Sequence, residues 1–578
     1  MTLEVRIGQH SLAGPGKTNQ DFHGAVLARG AQLASKGIVV ALADGIGSSR
    51  VSHVASATAV RGFLDDYYAT SDAWPVRRAA QCVLQATNAW LHAQTQRGAG
   101  RRDRDLGCIC TFSALVLKGR EAHLLHVGDA RVYRLHPQSL EQLSEDHRVR
   151  ADHGGTYLGR ALGVDRSVDI DYLAWPLEAG ETYLLATDGA YEYLDAGAVQ
   201  AALAANADDL DAVAAALARA ARASGSDDDA TVQIVRVDAL PPPASHALQH
   251  AREGLVVSPP LRPGERFEGY TIVRELHVSP RSHVHLALED ASGRHVAIKT
   301  PSIEAADDPS MLDRFMLEEW VARRVDNPHV LKAARDDAPR RHLFVAMEYV
   351  DGQTLAQWMI DHPAPGLDAV RGLVAQAARG LQALHRQEMV HLDVRPANLM
   401  LDASGTVRLI DFGATWVAGL AERDAEPAPQ GPAGELQYAA PEALLGRAVD
   451  ARADLFSLAV VTYQLLTGAL PYGLDLARTG SEADLSRLRY VPVGAHRSDL
   501  PPWLDRVLRK ALQPNPSRRQ QALSEFIHDL CHPGPEFTVA HRRPLLERNP
   551  AAFWRGLALL LAAVLVLVLV GIALRANA

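Results

Sequence analysis

Short apolar runs that end in turn residues recur through the first 238 residues of the chain. The clearest covers 37–43, is apolar throughout and stops at an Asp-Gly pair, which is typical of a buried strand entering a turn. The same pattern predicts strands at 112–117, 122–127, 183–186 and 231–237, and helical composition predicts helices at 55–68, 76–94 and 210–223. Because these strands and helices do not alternate strictly, residues 1–238 are predicted to form a layered α+β domain.

The composition changes after this first domain. Residues 239–266 are rich in proline, which predicts an extended linker. Residues 267–532 begin with strand-like runs and become mostly helical after Thr354, so they predict a second domain. A multidomain α+β chain also agrees with the length, because 578 residues are too many for one hydrophobic core.

The end of the chain carries an uncharged run rich in Leu, Val and Ala at 556–574. Its length is close to the ~20 residues that cross a bilayer as a helix, and a buried core helix is rarely apolar on every face. We therefore predict a basic juxtamembrane linker at 533–554 and a single transmembrane helix at 555–575. Arginines concentrate before this run, so the chain is expected to be tail-anchored in the inner membrane with both domains in the cytoplasm.

Charge and cysteine content narrow the class of protein further. The formal net charge is −9, which gives no sign of the basic surface that nucleic-acid binding requires, so we expect no nucleic-acid partner. The four cysteines form neither a disulfide framework nor a C-x-x-C pair, so the two domains are expected in a reduced, cytosolic environment. The first residues include no apolar segment typical of a signal peptide.

Several aspartates of the first domain lie beside predicted turns. Asp21, Asp44, Asp188 and Asp228 can hold two hard divalent cations if their strand ends converge, because such cations prefer carboxylate and carbonyl oxygens. Two cations that bridge a water lower its pKa and so generate the nucleophile for hydrolysis of a phosphate monoester. Taken singly, each Asp-Gly pair is better explained as an ordinary turn.

The motifs around these aspartates resemble the metal-dependent type 2C family of Ser/Thr protein phosphatases. In family order they are Thr18-Asn19-Gln20-Asp21, Ala43-Asp44-Gly45-Ile46-Gly47, His126-Val127-Gly128-Asp129-Ala130-Arg131, Leu158-Gly159-Arg160-Ala161-Leu162-Gly163, Ala186-Thr187-Asp188-Gly189 and Gly225-Ser226-Asp227-Asp228-Asp229-Ala230-Thr231-Val232. The resemblance implies a four-layer αββα sandwich that hydrolyses phospho-Ser/Thr in proteins with two or three Mn²⁺ or Mg²⁺ ions.

The resemblance also implies a role for each metal ligand. Asp44 is implied to bridge two metals, with the Gly45 carbonyl on one of them and Asp188 and Asp228 on the other. Asp21 matches an acidic family position. Asp129 matches the position of a third, weaker metal. Two positions depart from the family. Gln20 replaces a glutamate, and Gly16 stands where the family has an arginine that grips phosphate, for which Lys17 is the nearest replacement.

A second set of motifs occupies the second domain. Val296-Ala297-Ile298-Lys299, the segment 391–398 and Asp411-Phe412-Gly413 follow one another in the order that phosphoryl transfer from ATP needs. These motifs resemble the eukaryotic-like Ser/Thr protein kinase family. The resemblance implies a bilobal fold that uses ATP with Mg²⁺ to phosphorylate Ser or Thr in protein substrates.

Functional residues are implied for the kinase region in the same way. Lys299 matches the lysine that binds ATP phosphates, and Glu318 matches its partner. Asp393 matches the catalytic base, Arg395 the cation of the catalytic loop, and Asn398 and Asp411 the Mg²⁺ ligands. Glu348 and Val350 belong to the hinge that contacts adenine. The three glycines that normally cover the phosphates fall on His277, Ser279 and Ser282. Their side chains are expected to weaken the grip on ATP, because glycines let backbone N–H groups approach phosphates closely.

Two further departures concern the segment after Asp411. Leu392 replaces the arginine that normally binds a phosphate on this segment, and Thr415 is the only hydroxyl residue between positions 414 and 437. We therefore predict that phosphorylation of this segment is not the switch of this kinase. Glu435 occupies the position of a family threonine that helps to fix the catalytic aspartate and confers Ser/Thr preference.

The favoured interpretation is a bifunctional, membrane-anchored protein Ser/Thr kinase and phosphatase. The alternative is a membrane-anchored phosphatase whose kinase-like half is a pseudokinase that senses nucleotide or serves as a scaffold. The missing glycines favour the alternative, whereas retention of Asp393, Asn398 and Asp411 together favours the active kinase. A weaker alternative is that both halves are degenerate adaptors.

Overall fold

The computed structural model describes residues 2–46, 51–101, 103, 106–150, 156–241, 254–302, 308–334, 340–424, 435–538, 554–555 and 557–562. Among these residues no helix is both long and apolar enough to cross a membrane. The predicted transmembrane helix at 555–575 lies mostly outside the described residues, as do 539–553 of the predicted juxtamembrane linker and 242–253 of the proline-rich linker.

The N-terminal region is built from two antiparallel sheets with helices on their outer faces. Its strands are β1 Glu4–Leu12, β2 Phe22–Val26, β3 Ile38–Ala43, β4 Phe112–Lys118, β5 Glu121–Val127, β6 Arg131–His136, β7 Ser139–Gln142, β8 Arg148–Arg150, β9 Thr156–Leu158, β10 Asp171–Pro176, β11 Thr182–Ala186 and β12 Ala230–Ala239. Its helices are α1 Gly30–Lys36, α2 Ser52–Ala69, α3 Val76–Arg97, α4 Asp188–Tyr191, α5 Ala196–Ala205 and α6 Leu210–Ala223. The sheet orders are β1-β12-β11-β6-β7 and β10-β5-β4-β3-β2.

Strand β3 shows how the apolar pattern produces four layers. Successive side chains of a strand point to opposite faces of the sheet. Val40 and Leu42 therefore pack between the two sheets, while Ala41 and Ala43 pack against α2 and α3. On the far side, Ile234 of β12 packs in a cluster with α6. The predicted four-layer αββα sandwich is confirmed.

The C-terminal region has the two lobes predicted for a protein kinase. Its strands are β13 Val256–Val257, β14 Arg266–Phe267, β15 Tyr270–Val278, β16 Ser282–Glu289, β17 His295–Pro301, β18 His342–Leu343, β19 Val345–Glu348, β20 Gly352–Thr354, β21 Met389–Val390, β22 Leu399–Asp402, β23 Val407–Leu409 and β24 Trp416–Val417. Its helices are α7 Pro309–Arg324, α8 Leu355–Asp361, α9 Leu367–Arg386, α10 Ala418–Asp424, α11 Pro441–Leu444, α12 Ala451–Thr467, α13 Glu482–Arg487, α14 Pro502–Ala511, α15 Leu523–Cys531 and α16 Pro535–Thr538.

The smaller lobe is a sheet of order β14-β15-β16-β17-β19 with α7 beside it. Asp308 caps α7 by accepting hydrogen bonds from the N–H groups of Ser310 and Met311, and Pro309 occupies the first turn, where no intrahelical N–H bond is lost. The larger lobe is centred on α12, which is buried along most of its length and ends at Gly468 with a φ of 72°. Helix α9 packs against α12 and α15.

One detail of the linker differs from the prediction. Residues 256–257 lie inside the predicted proline-rich linker at 239–266, yet they form β13 and pair in parallel with β18 of the smaller lobe. Two apolar residues in a proline-rich stretch give no local strand pattern. Only the partner strand, 86 positions later (342 − 256), makes this pairing favourable.

Two candidate active sites

The ends of the central strands position Asp44 in the N-terminal region. Asp44 follows β3 directly; its N–H donates to Thr111 Oγ1 at 2.9 Å and its carbonyl accepts from the Thr111 N–H at 2.8 Å. Gly45 is held equally closely, because a Cβ at this position would lie 2.7 Å from the Ser52 carbonyl oxygen. The Asp-Gly pair is therefore fixed between β3 and α2 rather than free in a surface turn.

Asp21 lies beside Asp44 in a buried position. Its Oδ2 accepts hydrogen bonds from Thr187 Oγ1 at 2.8 Å and Thr231 Oγ1 at 2.6 Å, whereas its Oδ1 is buried without a partner. Burial raises the pKa of Asp21 to about 7. Burial, and after it the Asp21 carboxylate, raises the pKa of Asp44 well above its usual range. An orphaned carboxylate oxygen next to a second buried carboxylate fits a site for a divalent cation.

Asp188 and Asp228 lie at the neighbouring strand ends. Asp188 opens α4, and its Oδ1 accepts from the Gly189 N–H at 2.8 Å. Burial, followed by the charges of Asp129 and Asp228, raises the pKa of Asp188 to about 6. All five predicted aspartates therefore lie close enough to influence at least one other member of the set electrostatically. Within the described residues, however, no three His, Cys, Asp or Glu side chains form a compact metal cluster.

Asp229 is a structural residue of this site that sequence reasoning missed. Its Oδ1 accepts from the Gly14 N–H at 2.6 Å and its Oδ2 from the Gln20 N–H at 2.7 Å. It thereby ties the segment that carries Asp21 to the loop before β12. The sequence signal was its place beside Asp228, but the separation of more than two hundred residues between Asp229 and its two partners concealed the contact.

Asp129 has a cationic partner from the same chain. Arg148, the first residue of β8, places its Nε 2.8 Å from Asp129 Oδ2 and its Nη2 3.3 Å from Asp188 Oδ2. Arg148 Nη2 also donates to the Tyr191 hydroxyl at 3.1 Å, and Tyr191 in turn donates to the Asp129 carbonyl at 3.0 Å. The charge of Asp129 is thus compensated by a guanidinium, and this carboxylate does not fit a third metal in the present arrangement.

Lys17 lies at the rim of the site. Its Nζ is 3.8 Å from Asp228 Oδ1, and more than half of each side chain is exposed. Gly16 has a φ of 67°, and a Cβ there would meet nothing within 4 Å. The position of the missing family arginine is therefore an open turn, and Lys17 and Arg148 each form an ion pair with an aspartate of the site.

The kinase region assembles its phosphate-binding group in the cleft between the lobes. Lys299 on β17 places its Nζ 2.5 Å from Glu318 Oε2 on α7 and 3.5 Å from Asp411 Oδ1. Burial alone would lower the pKa of Lys299, but the two carboxylates outweigh it and raise the pKa above its usual value. Lys299 is therefore held as a cation, which is the form that binds phosphate.

The catalytic loop brings the remaining predicted residues together. Asn398 Nδ2 donates to Asp393 Oδ2 at 2.7 Å and to the Asp393 carbonyl at 2.9 Å. Arg395 lies 3.5 Å from Asp393 Oδ2 and 2.5 Å from Glu435 Oε1. Burial raises the pKa of Asp393, although Arg395 and then His391 oppose the shift. Arg395 thus connects Glu435 to the carboxylate of Asp393.

The carboxylate of Asp454 on α12 fixes the backbone of the catalytic loop. Its carboxylate accepts from the N–H groups of His391 and Leu392, both at 2.9 Å, and from His385 Nε2 at 2.8 Å. Leu392 has a φ of 62° and Asp411 a φ of 65°, values that non-glycine residues rarely adopt. Such backbone strain persists where surrounding contacts over-determine it, which is common at functional sites.

The turn that replaces the glycine loop uses its own backbone donors internally. Ser279 Oγ accepts from the N–H groups of Ser282 at 3.0 Å and Arg281 at 3.3 Å. Ser302 Oγ donates to the Pro280 carbonyl at 2.6 Å and fixes the same turn to the end of β17. The N–H groups that a glycine loop would direct at ATP phosphates are engaged here by a side chain.

The two predicted hinge residues lie at the end of β19 and just after it. Glu348 ends β19, and its Oε2 accepts from Arg408 Nη1 at 3.1 Å. Val350 follows two residues later and is buried.

Thr415, in the segment after Asp411, is also buried, being 3% exposed, so its hydroxyl is not accessible to a kinase in this conformation.

Comparison with known families assigns both regions. Residues 9–231 match the family model described as protein phosphatase 2C, and residues 272–535 match the model described as protein kinase domain. The serine/threonine-protein kinase PknB of Mycolicibacterium smegmatis is 34% identical over 285 residues, which cover 47% of this chain and 45% of that protein. The chain thus spans about half the length of this relative.

Two solved structures resemble separate parts of the chain. The Mycobacterium tuberculosis PknI kinase domain is 32% identical, with a TM-score of 0.39, and the match covers 48% of this chain and 99% of that one. The M. tuberculosis serine/threonine phosphatase PstP/Ppp is 22% identical, with a TM-score of 0.34, and covers 41% of this chain and 99% of that one. On the two family models, this chain carries a protein phosphatase 2C domain followed by a protein kinase domain.

Proposed function

We propose that the chain is a bifunctional enzyme that transfers phosphate from ATP to Ser or Thr of proteins and hydrolyses phospho-Ser or phospho-Thr in its other domain. The observation that carries the kinase half is the assembled Lys299–Glu318 pair together with the Asp393–Asn398 bond. The orphaned Oδ1 of Asp21 beside Asp44 supports the phosphatase half.

In the kinase domain each residue has a separate task. Lys299 binds the phosphates of ATP, and Glu318 holds Lys299 in place. Asp393 accepts the proton of the incoming hydroxyl, oriented by Asn398 and Arg395. Asn398 and Asp411 would hold Mg²⁺, which neutralises charge on the phosphates when bound.

In the phosphatase domain Asp44, the Gly45 carbonyl, Asp188 and Asp228 would hold two Mn²⁺ or Mg²⁺ ions. When bound, such ions lower the pKa of a bridging water. Asp21, whose Oδ2 is oriented by Thr187 and Thr231, would contribute its Oδ1 to the same metal site. Lys17, at the open rim, attracts the substrate phosphate as a point charge.

Arg148 takes the place of the third cation in this proposal. Replacing it in Arg148→Gln leaves Asp129 and Asp188 facing each other without a compensating charge. We expect the variant to bind one more Mn²⁺ per chain than the parent protein, measured by metal analysis after equilibrium dialysis without nucleotide. Arg160→Gln, which removes a guanidinium that pairs with Asp171 instead, serves as the control and should bind the parental number. An equal Mn²⁺ content in Arg148→Gln and the parent chain would contradict this role.

Ser279→Gly tests the effect of the altered phosphate loop. The change frees the N–H groups of Ser282 and Arg281, which Ser279 Oγ now engages. A hydrogen bond contributes ~1 kcal/mol, which corresponds to about fivefold in affinity, so the KM for ATP should fall by roughly that factor. Ser292→Gly, in the exposed turn before β17, is the matched control, and the expectation fails if both variants have the parental KM.

The alternative function, a phosphatase with a nucleotide-sensing pseudokinase, is favoured by the closed turn at 279–282 alone. It predicts ATP binding without transfer. Phosphate released from a phosphothreonine peptide, measured with Mn²⁺ in a chain carrying Asp393→Ala, separates the halves. Release at the parental rate supports an independent phosphatase, whereas no release by either chain would refute that half of the proposal.

Membrane anchoring by the C-terminal apolar run at 556–574 remains part of the proposal. The described part of this run, 557–562, is helical and exposes Leu559 to 72% and Leu560 to 61%. Exposed leucines on a short helix support a lipid environment for this segment. Sedimentation of the full chain, but not of a chain ending at Pro550, with phospholipid vesicles tests the proposal.

A further inference from the structure

The phosphatase domain contacts the kinase domain through the connection between α2 and α3. We call residues 70–75 of this connection the docking loop. Ala73 in the docking loop is fully buried and belongs to the same hydrophobic cluster as Val390 and Val417 of the kinase domain. A residue of one domain thus completes the core of the other.

The tightest contact involves Gly419 in the kinase segment that follows Asp411-Phe412-Gly413. The Gly419 N–H donates to the Ala73 carbonyl at 3.0 Å, and the Gly419 carbonyl accepts from Lys118 Nζ of the phosphatase domain at 2.7 Å. A Cβ at Gly419 would lie 2.8 Å from the carbonyl oxygens of both Ala73 and Trp74. The space therefore admits a glycine but no larger residue without displacement.

Lys118 makes this contact specific. The side chain is 1% exposed at the end of β4, and a buried ammonium group is costly unless acceptors surround it. The Gly419 carbonyl is one such acceptor. Lys118 therefore connects the end of β4 to the backbone of the kinase domain at Gly419.

Three polar contacts extend the interface to other parts of the kinase domain. Asp72 Oδ2 pairs with Arg324 Nη2 at 3.3 Å, Ser71 Oγ donates to Gln387 Oε1 at 2.8 Å, and Arg78 Nε pairs with Glu388 Oε1 at 3.1 Å. Arg324 ends α7, the helix that carries Glu318, and residues 387–388 precede the catalytic loop. The interface therefore touches the three elements that position the kinase residues.

We propose that the phosphatase domain is the partner that holds the kinase domain in its active arrangement. In this chain the docking loop and Lys118, rather than a phosphorylated residue, fix the backbone at Gly419. Leu392 offers no guanidinium to a phosphate, and the only hydroxyl between positions 414 and 437, that of Thr415, is buried. The inference rests on the proposed kinase activity.

The phosphatase site provides an internal control for this proposal. Lys118 ends β4, whereas Thr111, which binds Asp44, precedes the first residue of the same strand. Seven strand residues at ~3.3 Å each separate the two positions by about 20 Å. A substitution at Lys118 should therefore leave phosphatase activity unchanged.

The test compares full-length chains carrying Lys118→Met or Gly419→Val with Arg134→Met as the matched control. Arg134 is a partly buried cation of the other sheet that pairs with Glu141 and Glu181 of its own domain. Kinase rates are measured in an Asp44→Ala background, and phosphatase rates in chains that retain Asp44. We expect both interface variants to lose at least tenfold in kinase rate and to keep phosphatase rates within twofold, while Arg134→Met retains both.

Hydrogen exchange of peptides that cover 70–75 and 416–421 provides a second measurement. In the interface variants both peptides should exchange faster than in the parent chain. Parental kinase rates and parental exchange in both variants would overturn the inference. An inactive parent chain would refute the proposed kinase function and, with it, this inference, so the two failures are distinguishable.

Discussion

Asp393→Asn should reduce the rate of phosphate transfer to a protein acceptor by about 10²–10⁴-fold, the usual contribution of a positioned general base. The amide cannot accept the proton of the incoming hydroxyl, although it can still form a bond with Asn398. The buried Lys299–Glu318 pair remains, so the affinity for ATP should change little. The measurement is the initial rate of label transfer from ATP in a chain that also carries Asp44→Ala.

The matched control for this prediction is Asp484→Asn. Asp484 is an exposed aspartate that bonds Ser481 at the start of α13, remote from the cleft. Its rate should equal that of the parent. Equal rates for Asp393→Asn and Asp484→Asn would show that the catalytic loop performs no chemistry, as the pseudokinase alternative requires.

Asp44→Asn should abolish hydrolysis of a phosphothreonine peptide. Residues that only orient a metal ligand contribute ~10–100-fold to metal affinity or activity, and a residue that would itself bind the metal should exceed that range. Removal of divalent ions by a chelator should have the same effect on the parent chain, and added Mn²⁺ should restore the parent but not the variant.

Asp238→Asn is the control on the phosphatase side, because Asp238 pairs with Arg6 at 2.7 Å at the edge of the sheet and lies outside the metal site. We expect it to retain the parental rate and the parental dependence on Mn²⁺. Hydrolysis that survives both the chelator and Asp44→Asn would contradict metal-dependent chemistry at this site.

The local pattern of the chain was sufficient to predict strands of the phosphatase fold, whereas its four layers were implied by the family resemblance. Alternation in β3 separates Val40 from Ala41, and that period of two places them on opposite faces without further information. The motifs pointed to residues that the fold brings together. Lys299 and Glu318 lie within hydrogen-bonding distance, as the family pattern implied.

Contacts between distant segments were not predictable from such patterns. The local sequence around Arg148, which is basic and rich in turn residues, does not indicate an ion pair. Arg148 nevertheless pairs with Asp129 once the fold positions β8. Lys118 reads as the polar end of an apolar strand, and its acceptor at Gly419 is 301 positions away. In both cases the energetics come from burial and charge compensation between segments, which no single window of sequence contains.

The most direct test of a kinase and a phosphatase on one chain is the accumulation of label from ATP on a generic Ser/Thr-rich acceptor protein. The parent chain, Asp44→Ala, Asp393→Ala and the double variant are compared with Mn²⁺ and Mg²⁺ present. We expect the most label on the acceptor with Asp44→Ala, less with the parent chain, and none when Asp393 is replaced. Absence of label with the folded Asp44→Ala chain, or equal label with Asp44→Ala and the parent, would contradict this expectation.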